Sequence, residues 1–355
     1  MKRFVAVAAI LLAALFAYGA AKVGFIYVGP VGDAGWTYAH DLGRRYLEEH
    51  VPGVTTDYIE SVPEGEEAYR VIVDFIKKGY KIIFTTSFGY MDPTDKAAKQ
   101  YPNVDFFHCS GYKYNHTNFS AYFGRMYQAR FLTGIVAGMM TESNVIGYVA
   151  AFPIPEVIRG INAFALGVRL VNPEAKVHVV WTHTWYNPAA EREAAISLLD
   201  SGADVITQHQ DSPAPVQAAA ERGKYAIGYN SDMSIFAPEA HLTAPVWNWG
   251  VFYVAAVKGV IDGTWKHGFY WWGMDKGIVD IAAFGPAVPE KVRAVVNTFK
   301  ELIKEGKFDP FTGPIYDQEG KLRVEKGKRM TDEELLSMNW FVDNVVGSIP
   351  KESGE

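Results

Sequence analysis

A repeated alternation of short apolar runs and amphipathic runs is the strongest constraint on the fold of this chain. The apolar runs have the length of strands, and the runs between them have the i, i+3, i+4 spacing of helices. This alternation predicts parallel strands joined by helical crossovers, an α/β fold with helices on both faces of the sheet. The first set of predicted strands covers residues 23–28, 55–59, 81–85 and 105–109, with helices at 37–49, 66–78 and 94–100.

The alternation then starts again, after a segment at residues 122–140 that predicts a buried helix opening a second lobe. A chain of 355 residues also has the length of two domains of about 150 residues each. We therefore expect two similar α/β lobes in tandem. The second set of predicted strands covers 145–150, 176–181, 205–208 and 226–229, with helices at 156–170, 189–199 and 214–222, and later at 248–261 and 290–304.

The amino terminus has the pattern of a cleaved secretory signal over residues 1–21. Lys2 and Arg3 precede an apolar run at 4–16, and small residues follow it. A membrane anchor is the alternative, but a span needs about 20 apolar residues. No cysteine closes the run, so a lipid anchor is not expected. We predict a protein free outside the cytoplasmic membrane, with a frayed tail at 351–355.

Composition and motifs exclude several classes of function. The net charge of −6 argues against nucleic-acid binding, which needs a basic stripe. Cys109 is the single cysteine and lies in a strand-like run, which favours a buried inert thiol over a nucleophile. The histidines lack metal-ligand spacing, and no G-x-S-x-G or phosphate loop occurs. No metal and no cofactor are predicted.

The glycine-containing loop at residues 29–36, after the first strand, is a candidate binding loop. Loops at this edge of an α/β sheet open onto the ligand crevice, and glycines let backbone amides approach a ligand. The spacing is not G-x-G-x-x-G, so a dinucleotide is not expected. Asp33 lies in this loop. Trp36 begins the next helix, either as a stacking ring or as a core side chain.

Aromatic and polar residues also follow the other strands, at 86–90, 182–186, 208–212 and 229–232. If the strand ends of the two lobes face each other, rings, amides and carboxylates would line one cleft. Rings that stack on a flat ligand and polar groups that contact its edge suit a heterocycle. Asp211 has a second interpretation as a helix cap before Pro213. The candidate ligand-binding residues from these segments are Asp33, Trp36, Ser87, Phe88, Trp185, Asp211 and Asp232.

Several segments together resemble a known family. The sequence is similar to the basic membrane protein family of ABC-transporter solute-binding proteins, related to purine nucleoside receptors of spirochaetes, from the first strand to about residue 350. The resemblance implies a type I periplasmic-binding-protein fold, with two Rossmann-like lobes, three interlobe crossings and a ligand cleft between the lobes. The segments that carry it are 23–27 (VGFIY), 32–36 (GDAGW), 144–149 (NVIGYV), 158–164 (IRGINAF) and 202–206 (GADVI).

The resemblance also implies roles for individual residues. Trp36 falls where the family has a ring after the first strand, and Asp232 where it has an aspartate at the last strand of the second lobe. Ser110 replaces an aspartate that contacts ribose in nucleoside-binding members, and Trp247 follows the segment that carries a lysine in them. We therefore expect a purine, with a free base such as adenine ahead of a nucleoside.

We expect a non-enzymatic, monomeric receptor that closes over its ligand by hinge bending and delivers it to an ABC permease in the membrane. One alternative is a secreted purine-processing hydrolase that uses Asp211 or Asp232. Another is a sensory receptor that is not coupled to transport. The predicted N-terminal lobe is 22–121 plus 246–278, and the C-terminal lobe is 122–245 plus 279–350.

Overall fold

The computed structural model describes residues 21–350. The segment 351–355, predicted to be frayed, and all but the last residue of the predicted signal segment lie outside the described residues. The helices are α1 (Trp36–His50), α2 (Glu66–Lys77), α3 (Met91–Gln100), α4 (Met126–Met140), α5 (Pro155–Val171), α6 (Pro188–Asp200), α7 (Ala214–Glu221), α8 (Trp249–Ile261), α9 (Glu290–Lys304) and α10 (Asp332–Leu336). The strands are β1 (Ala21–Ile26), β2 (Val54–Ile59), β3 (Ile82–Thr85), β4 (Asp105–Cys109), β5 (Phe119–Gly124), β6 (Val145–Ala150), β7 (Lys176–Trp181), β8 (Val205–His209), β9 (Tyr225–Ile227), β10 (His241–Thr243), β11 (Pro245–Trp247), β12 (Phe269–Trp272), β13 (Val279–Ile281), β14 (Ile315–Tyr316), β15 (Leu322–Val324) and β16 (Val345–Val346).

Among the described residues, the first of two compact units comprises 21–32, 40–123 and 248–271. Its six-stranded sheet has the order β12-β5-β4-β3-β1-β2, and β1 to β5 pair in parallel. Phe84 stacks between Phe25 and Phe107 across the three central strands, with ring centroids 4.9 and 4.7 Å apart. These rings bury a large apolar area and fix the register of the sheet.

The second compact unit comprises residues 33–39, 124–247 and 272–350 of the described chain. Its sheet has the order β10-β9-β8-β6-β7-β16, and every neighbouring pair is parallel. Helices α4 and α5 pack closely, because a Cβ on Gly134 would lie only 2.0 Å from the carbonyl oxygen of Phe164. Glycine is therefore required at this helix contact.

The predicted α/β fold with two parallel-sheet lobes is confirmed. Strands β4, β6 and β7 have the bounds that the sequence predicted. The helix predicted from residue 122 begins instead at Met126, because residues 119–124 form β5. Every residue of β5 is buried. A continuous apolar run of this kind has no strand alternation that would separate it from a buried helix.

The parallel pairing sets the position of the candidate site in each sheet. The carboxyl ends of parallel strands meet at one edge, so the segments that follow them lie together there. In the second unit these segments are residues 182–186, 210–212 and 228–232. Cys109 is a buried thiol at the end of β4, as expected. Within residues 21–350, no helix combines the length and the apolarity needed to cross a bilayer.

Candidate functional site

Two of the predicted rings meet in the second unit. Trp36 is the first residue of α1, and Trp247 is the last residue of β11. Their ring centroids lie 5.8 Å apart with the planes at 89°, an edge-to-face contact. Trp247 is buried, whereas Trp36 is partly exposed. This geometry leaves the ring of Trp36 partly accessible and fixes its orientation.

Asn230 joins an indole to a carboxylate at this edge of the sheet. The Nε1–H of Trp247 donates to Oδ1 of Asn230 at 3.0 Å. The Nδ2–H of Asn230 donates to Oδ1 of Asp211 at 2.9 Å. Asn230 is fully buried, and both of its amide atoms are used. Asn230 lies within the strand-end segment 229–232, but Asp232 was the residue predicted from that segment, and Asn230 was missed.

Asp211 lies where three segments approach closely. Its backbone N–H donates to the carbonyl oxygen of Trp185 at 3.1 Å, which ties two strand-end loops together. A Cβ on Gly35 would lie 2.2 Å from the carbonyl oxygen of Asp211, so only glycine fits there. We call Trp36, Trp185, Asp211, Asn230 and Trp247 the tryptophan–amide cluster.

A buried carboxylate supports the two loops that carry Trp185 and Asp211. Oε1 of Glu191 accepts the backbone N–H of Asn187 at 2.7 Å. Oε2 of Glu191 accepts the backbone N–H of Ser212 at 3.2 Å and also the hydroxyl of Ser212. Glu191 is fully buried on α6. It therefore acts on the tryptophan–amide cluster through the backbone of both loops.

The backbone at these strand ends adopts a conformation that is uncommon for residues with a side chain. Ser110, His183 and Asn230 lie in the loops that follow β4, β7 and β9, and Ala34 follows the 3₁₀ turn at Val31–Asp33; all four have φ between 55° and 71°. Left-handed conformations at non-glycine residues cost energy and cluster at binding sites, where the surrounding structure holds them. The observation agrees with a functional role for this edge of each sheet.

Asp232 makes a different contact from Asp211. Its Oδ1 accepts the backbone N–H of Ser234 at 2.9 Å and so caps a short 3₁₀ turn. The same oxygen lies 4.0 Å from Nδ1 of His241. The side chain is half exposed. A ligand contact by Asp232 stays a prediction.

The remaining predicted residues lie in loops outside the cluster. In the first unit, Ser87 donates its hydroxyl to Oε1 of Glu64 at 2.5 Å, and the backbone N–H of Gly89 donates to the same oxygen at 3.1 Å. Phe88 is 45% exposed, the exposure of a ring available for contact. The backbone of Asp33 ends a 3₁₀ turn, and its side chain lies outside the described part of the structure.

A buried polar layer lies on the side of the second sheet that faces α4 and α5. The guanidinium carbon of Arg130 lies 3.8 Å from the ring centroid of Tyr229. The hydroxyl of Tyr229 lies 3.3 Å from Nε2 of His209, and Oε1 of Glu156 lies 3.8 Å from the same nitrogen. Burial, aided by Arg130 and Arg159, holds the pKa of His209 well below its usual value. His209 is therefore neutral at physiological pH.

Sequence reasoning did not select the residues of this layer, because no spacing along the chain joins Arg130 to Tyr229. His209 was present in the strand-end segment 208–212, and its position at the end of β8 was the one available signal. Among residues 21–350, no group of three or more histidine, cysteine or acidic side chains is arranged to hold a metal ion. The indole rings of the tryptophan–amide cluster can stack on a flat ligand, and the carboxylate of Asp211 can accept a hydrogen bond.

Comparison with solved structures shows the fold. A solute-binding protein of an ABC transporter system from Conexibacter woesei matches with a TM-score of 0.70 at 20% identity, over 82% of this chain and 98% of its own. At this identity the likeness shows the fold, which is that of type I periplasmic binding proteins.

The family is shown by the sequence itself. Residues 20–310 match the family model described as ABC transporter substrate-binding protein PnrA-like, or Bmp. The chain belongs to this family of substrate-binding proteins, which confirms the resemblance to the basic membrane proteins.

Two relatives carry names that specify a ligand. A purine-binding protein of Brucella abortus (strain 2308) is 46% identical over 331 residues, covering 93% of this chain and 94% of its own length. A Haloferax volcanii protein named as a putative glucose-binding protein of an ABC transporter is 40% identical over 327 residues. The match covers 92% of this chain and 80% of the length of the Haloferax protein. The two names differ in the class of ligand.

Proposed function

We propose that this protein is the extracytoplasmic receptor of an ABC importer and binds a purine, with adenine ahead of nucleosides. The observation that carries the proposal is the tryptophan–amide cluster, in which indole rings and a largely buried carboxylate lie at one sheet edge. The purine-binding name of the Brucella relative supports the same ligand class.

The cluster offers the two kinds of contact that a purine base needs. A ring face stacked on Trp36 contributes about 0.5–1.5 kcal/mol beyond area burial. A ring or exocyclic N–H that donates to the carboxylate of Asp211 contributes about 1.5–3 kcal/mol, because the acceptor is charged and desolvated. Asn230 holds this carboxylate in position before a ligand binds. Less side-chain entropy is therefore lost when the ligand binds.

Glucose is the second candidate, because the Haloferax relative carries that name. A hexose presents a hydroxyl on nearly every carbon, and each hydroxyl needs a donor or an acceptor. The tryptophan–amide cluster is dominated by rings and has a single carboxylate, which favours a flat heterocycle. The Brucella relative also aligns over more of its own length than the Haloferax relative.

The proposed site extends beyond the cluster to the other candidates from the sequence. Hinge closure on binding, a monomeric state and delivery to a membrane permease also belong to the proposal. Scattering in solution with and without adenine measures the closure. The proposed ligand-binding residues are Asp33, Trp36, Ser87, Phe88, Trp185, Asp211, Asp232 and Trp247.

Calorimetry on the mature chain tests the ligand class. Adenine, guanine, adenosine, guanosine and glucose are titrated into the same protein. We expect the tightest binding with adenine, weaker binding with the nucleosides and no heat with glucose. Tight binding of glucose without a purine signal would reject the ligand class. Adenosine binding far above adenine would reverse the order within the class.

The variant Asp211→Asn tests the role of the carboxylate. It keeps an oxygen that accepts from Asn230 but removes the charge, so we expect adenine affinity to fall about tenfold or more, equal to about 1.4 kcal/mol. Asp200→Asn is the matched control, because Asp200 is exposed on the same unit and pairs with Arg222.

The same variants separate a receptor from a hydrolase. The purified protein is incubated with nucleosides and products are measured. Turnover that disappears in Asp211→Asn or Asp232→Asn would establish the hydrolase and contradict the receptor. Uptake of labelled adenine by cells with and without this protein distinguishes an importer from a sensory receptor.

A further inference from the structure

The turn that carries Phe88 follows β3, an inner strand of the first six-stranded sheet. Ligands of open α/β sheets bind at the carboxyl ends of the strands, so this turn lies at the edge where binding is expected. The ring of Phe88 is 45% exposed, whereas Ser87 before it and Tyr90 after it are buried. The turn therefore presents one large apolar ring to solvent.

A single carboxylate oxygen holds both sequence neighbours of Phe88. The hydroxyl of Ser87 donates to Oε1 of Glu64 at 2.5 Å. The backbone N–H of Gly89 donates to the same oxygen at 3.1 Å. Hydrogen bonds to a charged acceptor are stronger than those to a neutral one. Glu64 therefore fixes the backbone on both sides of Phe88 while the ring stays exposed.

The loop that carries this carboxylate is itself tied to the sheet. The backbone N–H of Val62 donates to the carbonyl oxygen of Tyr27 at 3.0 Å. The carbonyl oxygen of Val62 accepts the hydroxyl of Tyr90 at 2.6 Å, and Tyr90 ends the 3₁₀ turn that begins at Phe88. A ring whose backbone is held by several contacts loses little further conformational freedom when a ligand stacks on it.

Gly89 allows the carboxylate to approach the turn this closely. A Cβ on residue 89 would lie 2.2 Å from Cδ of Glu64 and 2.6 Å from its Oε1. The carboxylate can occupy this position only because residue 89 has no side chain. A methyl group at residue 89 would displace the end of the Glu64 side chain without removing its charge.

We propose that Phe88 stacks on the purine and that Glu64 is the positioning residue of this ring. Glu64 acts through the backbone of Phe88, because the two donors that it accepts flank that residue. A ring held in one place stacks on a flat ligand without the entropy cost of ordering its loop. This assignment rests on the proposed function and deepens it, since it gives one ring of the first unit a role and names the group that holds it.

Calorimetry with adenine on the mature chain tests both roles. Phe88→Ala should weaken binding about fivefold or more, because the stacked ring is lost. Glu64→Ala should weaken it about threefold, and Glu64→Gln, which keeps an acceptor oxygen, should restore most of the affinity. Glu67→Ala is the matched control, because Glu67 pairs with Arg70 at an exposed position in the same unit and should leave affinity unchanged. Unchanged affinity in Phe88→Ala or Glu64→Ala would overturn the assignment.

A double-mutant cycle tests whether Glu64 acts through Phe88. The double variant Glu64→Ala/Phe88→Ala should bind adenine no more weakly than Phe88→Ala alone, because the ring that Glu64 positions is then absent. Gly89→Ala keeps the charge but moves the carboxylate, so it should reproduce the loss seen in Glu64→Ala. Additive losses in the double variant would show an effect of Glu64 that is independent of the ring and would overturn the positioning role.

Binding by the wild-type chain separates this assignment from the proposed function. No heat with adenine in the wild type would reject the proposed function, and the assignment with it. Wild-type binding that is unchanged in Phe88→Ala would reject the assignment alone. Phe88 and Glu64 are both exposed, so each variant should melt within about 2 °C of the wild type. A larger fall in the melting midpoint that accounts for the lost affinity would give both residues a purely structural role and overturn the assignment.

Discussion

Asn230 and Gly35 show how single residues determine the geometry of the candidate site. Asn230 uses both ends of its amide, one toward Trp247 and one toward Asp211. Gly35 lets the chain pass within contact distance of the backbone of Asp211. Neither residue needs to touch a ligand to affect binding, because each positions groups that are proposed to do so.

Trp36→Ala should weaken adenine binding tenfold or more. The change removes the stacked ring and the edge-to-face partner of Trp247, together worth about 1.4 kcal/mol or more. Calorimetry measures the affinity. Trp340→Ala is the control, because Trp340 packs under Arg323 outside the tryptophan–amide cluster and should leave adenine affinity unchanged. Equal losses in both variants would contradict the stacking role.

A pair of glycine variants tests the close approach at residue 35. Gly35→Ala forces a methyl group into the backbone of Asp211, so we expect weaker adenine binding and a lower melting midpoint. Gly32→Ala in the same loop meets no atom within 4 Å and should change neither quantity. Unchanged affinity in Gly35→Ala would show that the loop relaxes without disturbing the site.

Helix α5 is the element that joins the second sheet to the end of the chain. The family match ends at residue 310, but the later residues are folded along this helix. Arg159 donates to the carbonyl oxygen of Leu335, and Asn344 donates its amide to the carbonyl oxygen of Ala165. The chain then pairs as β16 with the edge strand β7. This C-terminal segment covers both a helix and a sheet edge that would otherwise be unpaired.

Asn162→Ala should release this C-terminal segment. The buried amide of Asn162 donates to the carbonyl oxygen of Trp340 at 2.7 Å and accepts the N–H of Val342 at 3.0 Å. Leaving those backbone groups unpaired should cost about 2–3 kcal/mol of unfolding free energy, measured by urea denaturation. Asn297→Ala, at an exposed position on α9, is the control and should change stability little. No loss in Asn162→Ala would mean that other contacts hold the segment.

At the scale of the whole molecule, buried neutral histidines link stability to pH. Burial lowers the pKa of His108 to about 3 and that of His241 to about 4, with Asp92 and Asp232 opposing the shift. In the unfolded chain a histidine has a pKa of about 6.5. Between these values the unfolded state binds more protons than the folded state, so stability falls as the pH falls.

Acid titration of unfolding should reveal this linkage. From pH 6.5 down to pH 4, each such histidine should lower the unfolding free energy by up to about 1.4 kcal/mol per pH unit. His241→Leu should make the slope shallower, because both ring nitrogens of His241 lack protein partners and leucine stays uncharged. Asn297→Ala, at an exposed position on α9, changes no titrating group and should leave the slope unchanged. An equal slope in His241→Leu would show that carboxylates alone set the acid sensitivity.

The sequence determined the fold class of this protein, because hydrophobic periodicity is a local property that neighbouring residues encode. Strands β4, β6 and β7 and helix α9 could be delimited to the residue in this way. The same alternation indicated which segments follow strands, and so it selected Trp36, Trp185 and Asp211 as candidates, whereas Trp247 was selected through the family resemblance. The hydrophobic alternation did not predict β5. This fully buried strand is followed closely by the largely buried helix α4, and the apolar pattern does not change between them.

Tertiary structure alone decided which of those candidates are joined. Asn230 rather than Asp232 bridges Asp211 and Trp247, and the chain gives no sign of this because the two aspartates have similar local sequence settings. Arg130 stacks on Tyr229, about a hundred positions later in the sequence. Hydrogen bonds and charges act over a few ångströms in space, so they depend on packing that brings distant segments together, whereas periodicity depends only on the order of residues.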